Sequence, residues 1–143
     1  MRVADYMVSE VTTLPADARL LDAALLIRRT GRRHIPIVDD DNRPVGIISD
    51  RDVARMAPSM LGHVSQEEYN EIFEATPISR AMTKDPITVT ADTPVHQAVE
   101  LLHTKKIGAL LVVEEGRLVG ILTVTDMLGL LYDLVKKQPD AAS

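Results

Sequence analysis

The chain of 143 residues contains no cysteine and no tryptophan, and it has one phenylalanine and three tyrosines. The absence of cysteine excludes disulfide bonds, thiol catalysis and cysteine-ligated metal sites. Because aromatic residues make up 3% of the chain and hydrophobic residues 45%, the core must be built mainly from aliphatic side chains. No apolar run approaches the roughly 18 residues that a membrane-spanning helix requires.

The net charge and the first residues of the sequence limit the expected partners and the expected location of the protein. A formal net charge of −5 argues against general nucleic-acid binding. Residues 1–5 contain no apolar run, so we expect no secretory signal and a cytoplasmic location. The four histidines lack the His-x-x-x-His spacing, and without cysteine the sequence predicts no zinc site.

Two segments of the chain carry the same pattern. Residues 46–52 read Gly-Ile-Ile-Ser-Asp-Arg-Asp, and residues 120–126 read Gly-Ile-Leu-Thr-Val-Thr-Asp. Shifting the chain on itself by 75 positions aligns the preceding residues too, and after a one-residue deletion near Gly116 the shift becomes 74. The repeat covers about residues 3–56 and 78–132. Two copies are too few for a solenoid, so we expect a pair that buries a shared face.

The first repeat predicts the order β-α-β-β-α. An extended piece at residues 12–14 precedes a helix over Arg19–Arg29, in which apolar residues recur at every third or fourth position. Strands at residues 35–38 and 45–48 enclose an acidic turn and predict a β-hairpin. A second helix is expected to begin at Asp50.

The second repeat follows the same order. Its hairpin strands are predicted at residues 109–113 and 118–122, and its last helix is expected to begin at Val124. Before its first helix, Thr93 has the chemistry of an N-cap and Pro94 that of a first-turn residue.

A helical insert is predicted between the repeats. Ser65 and Glu68 match a capping box, in which each side chain accepts a hydrogen bond from the other's backbone N–H. The helix that follows places Tyr69, Ile72 and Phe73 on one face. This face packs either on its own module or against a second subunit or partner, and both interpretations stay open.

The last helix differs from its counterpart in the first repeat. It is expected to be the longer of the two, because Pro58 lies where the counterpart should stop. It also gathers several apolar residues on one face, namely Leu128, Leu131, Tyr132 and Val135.

The repeated order and the pattern Gly-h-h-[Ser/Thr]-x-x-Asp, where h is apolar, resemble the CBS domain, named after cystathionine β-synthase. Two such domains in tandem resemble a Bateman module. The segments at residues 33–39 and 48–52 are similar to those of small stand-alone bacterial members, and the helical insert is similar to that of acetoin-utilisation-type CBS proteins.

The resemblance implies a fold and a division of the chain. We expect an α/β (α+β) fold of two tandem β-α-β-β-α repeats packed with pseudo-twofold symmetry. The expected boundaries are CBS repeat 1 over 1–58, a helical insert over 59–77, CBS repeat 2 over 78–137 and a flexible tail over 138–143.

The pattern also has a chemical interpretation. A carboxylate at a helix start can accept hydrogen bonds from two vicinal ribose hydroxyls, and such charge-assisted bonds are strong. The Ser or Thr three residues earlier, together with free helix N–H groups, can hold a phosphate. Ser49 with Asp52 and Thr123 with Asp126 also match N-terminal caps, so a purely structural role is the competing interpretation.

The resemblance implies two non-equivalent ligand sites, which would lie in clefts between the repeats. The first, expected to be the main one, would combine Ser49, Arg51 and Asp52 with Ile87, Ile107, Gly108 and Ala109. The second would combine Thr123 and Asp126 with Thr12, Arg33 and His34. In the first, small residues would leave room for adenine, whereas bulky cationic residues replace them in the second.

The function that the resemblance implies is ligand sensing. The module would bind an adenosine-containing nucleotide, AMP, ADP or ATP, and control a partner protein in trans, as a homodimer without catalysis or a required cofactor. Two alternatives are a sensor of S-adenosylmethionine, NAD or cyclic di-AMP, and a ligand-free dimerisation or interaction module with vestigial pockets. A nucleotide hydrolase is a third hypothesis, but the sequence offers it neither a metal cluster nor a placed base.

Overall fold

A computed structural model describes residues 1–57 and 64–139 of the chain. The structure divides into two compact units. We call residues 12–86 with 116–118 the first unit, and residues 1–11, 87–115 and 119–143 the second unit. Pro58 and the end of the expected tail lie outside the described residues.

Within its described residues, the first unit has a four-stranded sheet and three α-helices. Its elements are β1 (Leu14–Pro15), α1 (Leu20–Thr30), β2 (His34–Val38), β3 (Pro44–Ser49), α2 (Asp50–Met56), α3 (Gln66–Ala75) and β4 (Thr83–Lys84). The strand order is β1-β2-β3-β4, with β1 parallel to β2 and the other neighbours antiparallel. The predicted hairpin is confirmed, and its inward side chains join the core with α1 and α3.

The described part of the second unit repeats this order with a three-stranded sheet and two α-helices. Its elements are β5 (Thr88–Val89), α4 (Val95–Lys105), β6 (Ala109–Glu114), β7 (Arg117–Thr123) and α5 (Val124–Lys136). The strand order is β5-β6-β7. The mixed α/β class is therefore confirmed, and α5 has 13 residues against 7 in its counterpart α2, as the sequence predicted.

The predicted start of α4 is wrong in one detail. Thr93 does not cap the helix, because its hydroxyl oxygen accepts a hydrogen bond from the Thr90 N–H at 3.0 Å. Pro94, with φ −60° and ψ 140°, is the N-cap residue itself and makes no side-chain cap bond. The N–H of Val95 donates instead to the Met1 carbonyl at 3.1 Å, so the leading segment of the chain satisfies the helix start.

The insert helix α3 packs on the first unit. Its cap forms in one direction, from the Glu68 N–H to the Ser65 hydroxyl at 3.1 Å, and within the described residues the reciprocal bond of a capping box is not formed. Phe73 is fully buried in the first core, and its ring stacks on Tyr69 with centroids 4.2 Å apart. Ile72 remains 44% exposed, so two of the three predicted residues bury the helix on its own unit.

Each unit contains the leading segment of the other repeat. The N–H of Val3 donates to the Thr93 carbonyl at 2.8 Å, and the N–H of Ile78, its equivalent at the 75-residue shift, donates to the Ala18 carbonyl at 3.0 Å. Both side chains are fully buried, Val3 in the second core and Ile78 in the first. The sequence repeat is therefore not the packing unit, since the two repeats have exchanged their first residues.

Candidate ligand-binding site

The start of α2 is a closed hydrogen-bonded pair formed by Ser49 and Asp52. The Asp52 carboxylate oxygen Oδ2 accepts from the Ser49 N–H at 2.8 Å and from the Ser49 hydroxyl at 2.9 Å. In return the Asp52 N–H donates to Ser49 Oγ at 3.2 Å. The start is a capping box, in which each residue satisfies a backbone N–H of the other.

The start of α5 has the same geometry. Asp126 Oδ2 accepts from the Thr123 N–H at 2.8 Å and from its hydroxyl at 3.0 Å, and the Asp126 N–H donates to Thr123 Oγ1 at 3.3 Å. Both pairs therefore serve the structural role that the sequence left open, in agreement with the duplicated pattern.

Capping leaves half of each carboxylate unused. A carboxylate has two oxygens with about four lone-pair positions, and the cap engages one oxygen, Oδ2. In Asp52 the other oxygen, Oδ1, faces the Arg55 guanidinium at 3.5 Å, and the Asp52 side chain is 16% exposed. One oxygen can thus hold the helix start while the other accepts from a ligand, so the two interpretations of the motif are compatible.

The segment before β2 lies beside this pair. In the antiparallel register of β2 and β3, His34 is opposite Ser49. The Asp50 N–H donates to the Arg33 carbonyl at 3.0 Å, which ties the segment to the first residue of α2. Arg33 and His34 are therefore neighbours of Ser49 and Asp50 within the first unit, and their expected combination with Thr123 and Asp126 stays a prediction.

His34 lies among charges of both signs. Burial lowers the pKa of His34 below its ordinary value of 6.5, and Arg33 and Arg51 act in the same direction. Asp50 and Asp52 oppose this effect, since a nearby carboxylate favours the imidazolium. Burial prevails, so the neutral imidazole is favoured near neutral pH.

The second unit has an equivalent cluster of different composition. The Val124 N–H donates to the Gly108 carbonyl at 3.0 Å, which repeats the contact of Asp50 with Arg33. Ile107 and Gly108 are half-buried, and Ala109 is buried at the start of β6. Small and aliphatic residues here stand where the first unit has cationic ones.

The remaining predicted site residues are divided between the units. Arg51 is exposed in the first turn of α2, and Thr12 is half-buried before β1, both in the first unit. Ile87 is half-buried in the second unit, where its carbonyl accepts from the Leu111 N–H at 3.2 Å. The expected combination of Ser49 and Asp52 with Ile87 joins residues of different units and stays a prediction.

Two residues of the cluster were missed by sequence reasoning. Asp50 acts on His34, and Arg55 pairs with Asp52. The signal for Arg55 was its position three residues after Asp52 on the same helix, a spacing at which side chains meet. The signal for Asp50 was the predicted hairpin, which sets the end of β3 opposite the start of β2.

A methionine side chain lies against the glycine of each motif. A Cβ atom at Gly46 would overlap the Met82 side chain, and one at Gly120 would lie 2.7 Å from Met7 Sδ and 3.1 Å from the Val8 carbonyl oxygen. The space beside each glycine is therefore filled by neighbouring parts of the chain itself.

A separate pocket of about 190 Å³ lies between α1, α2 and α3 of the first unit. Its lining combines apolar side chains with four polar ones, Arg28, Asp50, Gln66 and Asn70. Ligand pockets usually measure about 300–1,000 Å³, so we assign no ligand to this one.

Two further expectations concern metals and membranes. Within residues 1–57 and 64–139, no group of three or more His, Asp or Glu side chains is placed to hold a metal ion. None of the described helices has the length and apolar character needed to cross a bilayer.

Solved structures with the same fold cover nearly the whole chain. An acetoin utilization protein (AcuB) from Vibrio cholerae is 30% identical, with a TM-score of 0.77 over 97% of this chain and 98% of that one. The CBS domain pair of protein MJ0100, in complex with 5′-methylthioadenosine and S-adenosyl-L-methionine, is 27% identical, with a TM-score of 0.77 over 94% and 98%. CBSX2 in complex with AMP is 25% identical, with a TM-score of 0.76 over 94% and 98%.

Some sequence relatives have about the length of this chain, and others are longer proteins that match it over one part. A CBS domain-containing protein of Dictyostelium discoideum is 29% identical over 138 residues, which are 96% of this chain and 95% of that protein. The chain also matches parts of longer proteins, such as 24% of the homoserine O-acetyltransferase of Methanohalobium evestigatum, at 25% identity. Paired CBS domains are regulatory modules, in some cases within enzymes. The CBS domain model matches residues 3–59 and again residues 78–133, so this chain belongs to the CBS domain family as a tandem pair.

Proposed function

We propose that this chain is a cytoplasmic, homodimeric sensor of an adenosine-containing nucleotide, AMP, ADP or ATP, and that it controls a partner protein in trans. The observation that supports the proposal best is that only one oxygen of the Asp52 carboxylate, Oδ2, takes part in the cap. Its Oδ1 atom is left over from the cap, and guanidinium groups lie on both sides of it in the sequence, at Arg51 and Arg55. Structural neighbours bind AMP or S-adenosyl-L-methionine, which have an adenosine group in common.

In this proposal different residues of the first unit bind different parts of the nucleotide. Asp52 accepts hydrogen bonds from the ribose hydroxyls through Oδ1, while Oδ2 keeps the helix start in place. Arg51 and Arg33 bind the phosphate, since a guanidinium offers paired donors that match phosphate geometry. His34 contributes an N–H donor from its half-buried position opposite Ser49.

In the second unit, fewer charged side chains would surround a bound adenosyl group. Asp126 offers the same carboxylate, and Thr123 the same hydroxyl, as their counterparts in the first unit. Gly108 lies next to the helix start and leaves room for a flat base, but within the described residues Asp126 makes no ion pair. We therefore expect the first unit to bind phosphate-bearing ligands more tightly than the second.

A ligand-free interaction module is the second candidate function. It is favoured by the capping boxes, because both are complete with protein groups alone. In this alternative the two aspartates only stabilise helix starts, and a partner protein is recognised by another surface.

The deciding experiment is calorimetric titration of the chain with AMP, ADP, ATP, S-adenosylmethionine, NAD and cyclic di-AMP, before and after Asp52→Asn. A hydrogen bond to a charged group contributes about 1.5–3 kcal/mol, so we expect the substitution to weaken the best ligand roughly 10- to 100-fold. Asp126→Asn is the matched variant in the second unit and should leave this tight site in place.

A further variant separates binding from helix stability. Ser65→Ala removes the cap bond of α3, away from the motif, and should lower the melting temperature without changing affinity. Titration without heat from any of the six ligands would contradict the proposal and favour the interaction module. Release of inorganic phosphate from ATP with magnesium would instead identify a hydrolase.

A further inference from the structure

His34 brings a side chain whose ordinary pKa is 6.5 into the candidate site of the first unit. It begins β2 and, in the antiparallel register, lies opposite Ser49, which does not titrate. The Asp50 N–H donates to the Arg33 carbonyl at 3.0 Å, so the backbone directly before His34 is attached to the first residue of α2. His34 is therefore held beside the residues to which the proposed function assigns the ribose and the phosphate.

The imidazole ring of His34 is half-buried and has unused hydrogen-bonding groups. Within residues 1–57 and 64–139, no hydrogen bond or ion pair joins this ring to another protein group. A neutral imidazole has one N–H donor and one acceptor nitrogen, whereas the imidazolium has two donors and a positive charge. Protonation would therefore add a donor and a charge at a position that the described protein groups leave available to a ligand.

The charged groups that act on this ring belong to α2 and to the residue before β2. Asp50 and Asp52 favour the imidazolium, whereas Arg33 and Arg51 oppose it. Both carboxylates have other partners. Asp50 Oδ1 accepts from the Arg51 N–H at 3.0 Å, and Asp52 uses Oδ2 for the cap and faces Arg55 with Oδ1. Their attraction does not outweigh burial, which lowers the pKa of the imidazole.

A bound phosphate would reverse this balance. The phosphate of a nucleotide offers acceptor oxygens and carries a charge of about −1.5 to −2 at neutral pH. An opposite charge within about 4–6 Å changes the ratio of protonated to neutral imidazole by about 10-fold or more. The phosphate would also balance the charges of Arg33 and Arg51, its proposed ligands, so that these two no longer oppose protonation of His34.

The second unit has no titratable side chain at the equivalent position. The counterpart of His34 is Ala109, which is buried at the start of β6, and Gly108 replaces Arg33. The Val124 N–H still donates to the Gly108 carbonyl at 3.0 Å, so the backbone contact is retained while the charges differ. Any coupling between proton and ligand at this position is therefore expected in the first unit and not in the second.

We propose that His34 makes the first unit select its ligand by charge, and that this unit takes up a proton at His34 when it binds a phosphate-bearing adenosine nucleotide. The inference rests on the proposed nucleotide function and adds a form of regulation to that site. Because proton and nucleotide each favour the binding of the other, the affinity for AMP increases as the pH falls.

Ligands without a phosphate should behave differently. Adenosine lacks the charge that favours the imidazolium, so its affinity should not increase as the pH falls. S-adenosylmethionine carries a cationic sulfonium and should bind more weakly once the ring is charged, because like charges repel. The preference of the first unit for AMP over S-adenosylmethionine therefore increases at lower pH.

The direction of the effect follows from the two protonation states. At high pH the imidazole is neutral with and without AMP, and the affinity is lowest. As the pH falls, the complex protonates before the free protein does, so the affinity increases until the free protein is protonated too. Below about pH 6 the phosphate itself gains a proton, so the useful range of measurement is about pH 6.5 to 8.

Calorimetric titration of the full chain with AMP, in buffers of different ionisation enthalpy, measures the proton uptake directly. Asp126→Asn as the background weakens binding in the second unit, so that the signal reports the first. We expect proton uptake at about pH 6.5 and an affinity about threefold or more higher there than at pH 8. Adenosine should bind without uptake and with one affinity over this range.

Two substitutions separate charge from structure. His34→Gln keeps a hydrogen-bond donor but removes the titrating group, so it should abolish the proton uptake. His34→Arg supplies a permanent charge, and it should retain tight AMP binding at pH 8 without uptake. A merely structural role of His34 predicts weakened binding in both variants at every pH. The matched control is His103→Gln on an exposed position of α4, which should behave as the wild type.

Proton NMR titration of the histidine rings tests the same coupling without a substitution at the site. AMP should raise the pKa of His34, whose signal is identified by its loss in His34→Gln, and leave the exposed His103 unchanged. AMP binding without proton uptake, or with an uptake that His34→Gln retains, would overturn this inference and leave the nucleotide sensor in place. A chain that binds none of these ligands at any pH contradicts the proposed function itself.

Discussion

The two units build their helix starts in the same way and surround them with different charges. The Ser49–Asp52 and Thr123–Asp126 pairs have equivalent hydrogen bonds that agree within 0.1 Å. Around them, the first unit has arginine at 33, 51 and 55, where the second has Gly108, Thr125 and Gly129. The comparison indicates that the fold requires the cap, whereas the charges around the cap can differ between the units.

The units also differ in how their helices are covered. In the first unit α3 packs on α1 through buried Phe73. The second unit has no counterpart of α3 among its described residues, and α5 exposes its apolar stripe to solvent. In the first unit the insert thus covers part of the apolar surface, whereas in the second unit the apolar face of α5 stays exposed.

The largest expected effect tests the exchange of leading segments. Ile78→Ala removes a fully buried side chain and should cost about 2–5 kcal/mol of unfolding free energy. Native-state hydrogen exchange should show the loss in β2 and β3, because Ile78 packs in the first core although it opens the second repeat.

Val3→Ala is the matched variant. It removes less volume, and its effect should appear in β6 and β7 of the second unit. If each substitution instead loosened the unit that contains the rest of its own repeat, the exchanged packing would be wrong.

A smaller difference is expected between the two motif glycines. Overpacking usually costs about 1–3 kcal/mol, and Gly120→Ala should fall within that range because the new Cβ meets the Val8 carbonyl as well as Met7. Gly46→Ala should cost less, since the contacts there are with the flexible Met82 side chain. Urea denaturation of both variants measures the difference, and an equal or larger loss for Gly46→Ala would contradict this account.

The smallest expected effect is on the pH dependence of stability. The pKa of His34 is lowered by burial below its ordinary 6.5, so at lower pH the unfolded chain binds a proton more readily than the folded one. The contribution of His34 to stability is therefore present above pH 6.5 and decreases as the pH falls from 6.5 toward the lowered value. His34→Gln should reduce the pH dependence of the urea midpoint between about pH 8 and pH 5.

The control for this measurement is His96→Gln, at an exposed position on α4. If the two variants change the pH profile equally, the environment of His34 is not the cause. The second unit has Ala109 at the position of His34, so this pH dependence belongs to the first unit.

Local features of the fold were predictable, and long-range ones were not. The hairpin at 35–38 and 45–48, the helix over Arg19–Arg29 and the start of α2 follow from periodicity and turn chemistry, which act over a few residues. The same hairpin implies that His34 lies opposite Ser49, and the grouping of Arg33 and His34 with Thr123 and Asp126 stays a prediction.

The exchange of leading segments lay beyond sequence reasoning. A shift of 75 residues shows that Val3 and Ile78 are equivalent, but equivalent residues could pack with either copy. Periodicity likewise assigned Tyr69, Ile72 and Phe73 to one face of α3 without showing that Ile72 stays partly in water. The prediction that Thr93 caps α4 was wrong because the Thr93 hydroxyl accepts from the Thr90 N–H. The preference of threonine for N-cap positions does not reveal such a competing hydrogen bond.

The exchanged segments have a consequence for the order in which the protein folds during synthesis. Residues 1–11 leave the ribosome well before residue 87, where the rest of their unit begins. At about 5–20 residues per second, that unit's next segment follows roughly 4–15 s later, while the first sheet can already close. Val3 therefore waits for this interval before its core can form, and chaperones can bind residues 1–11 during that time.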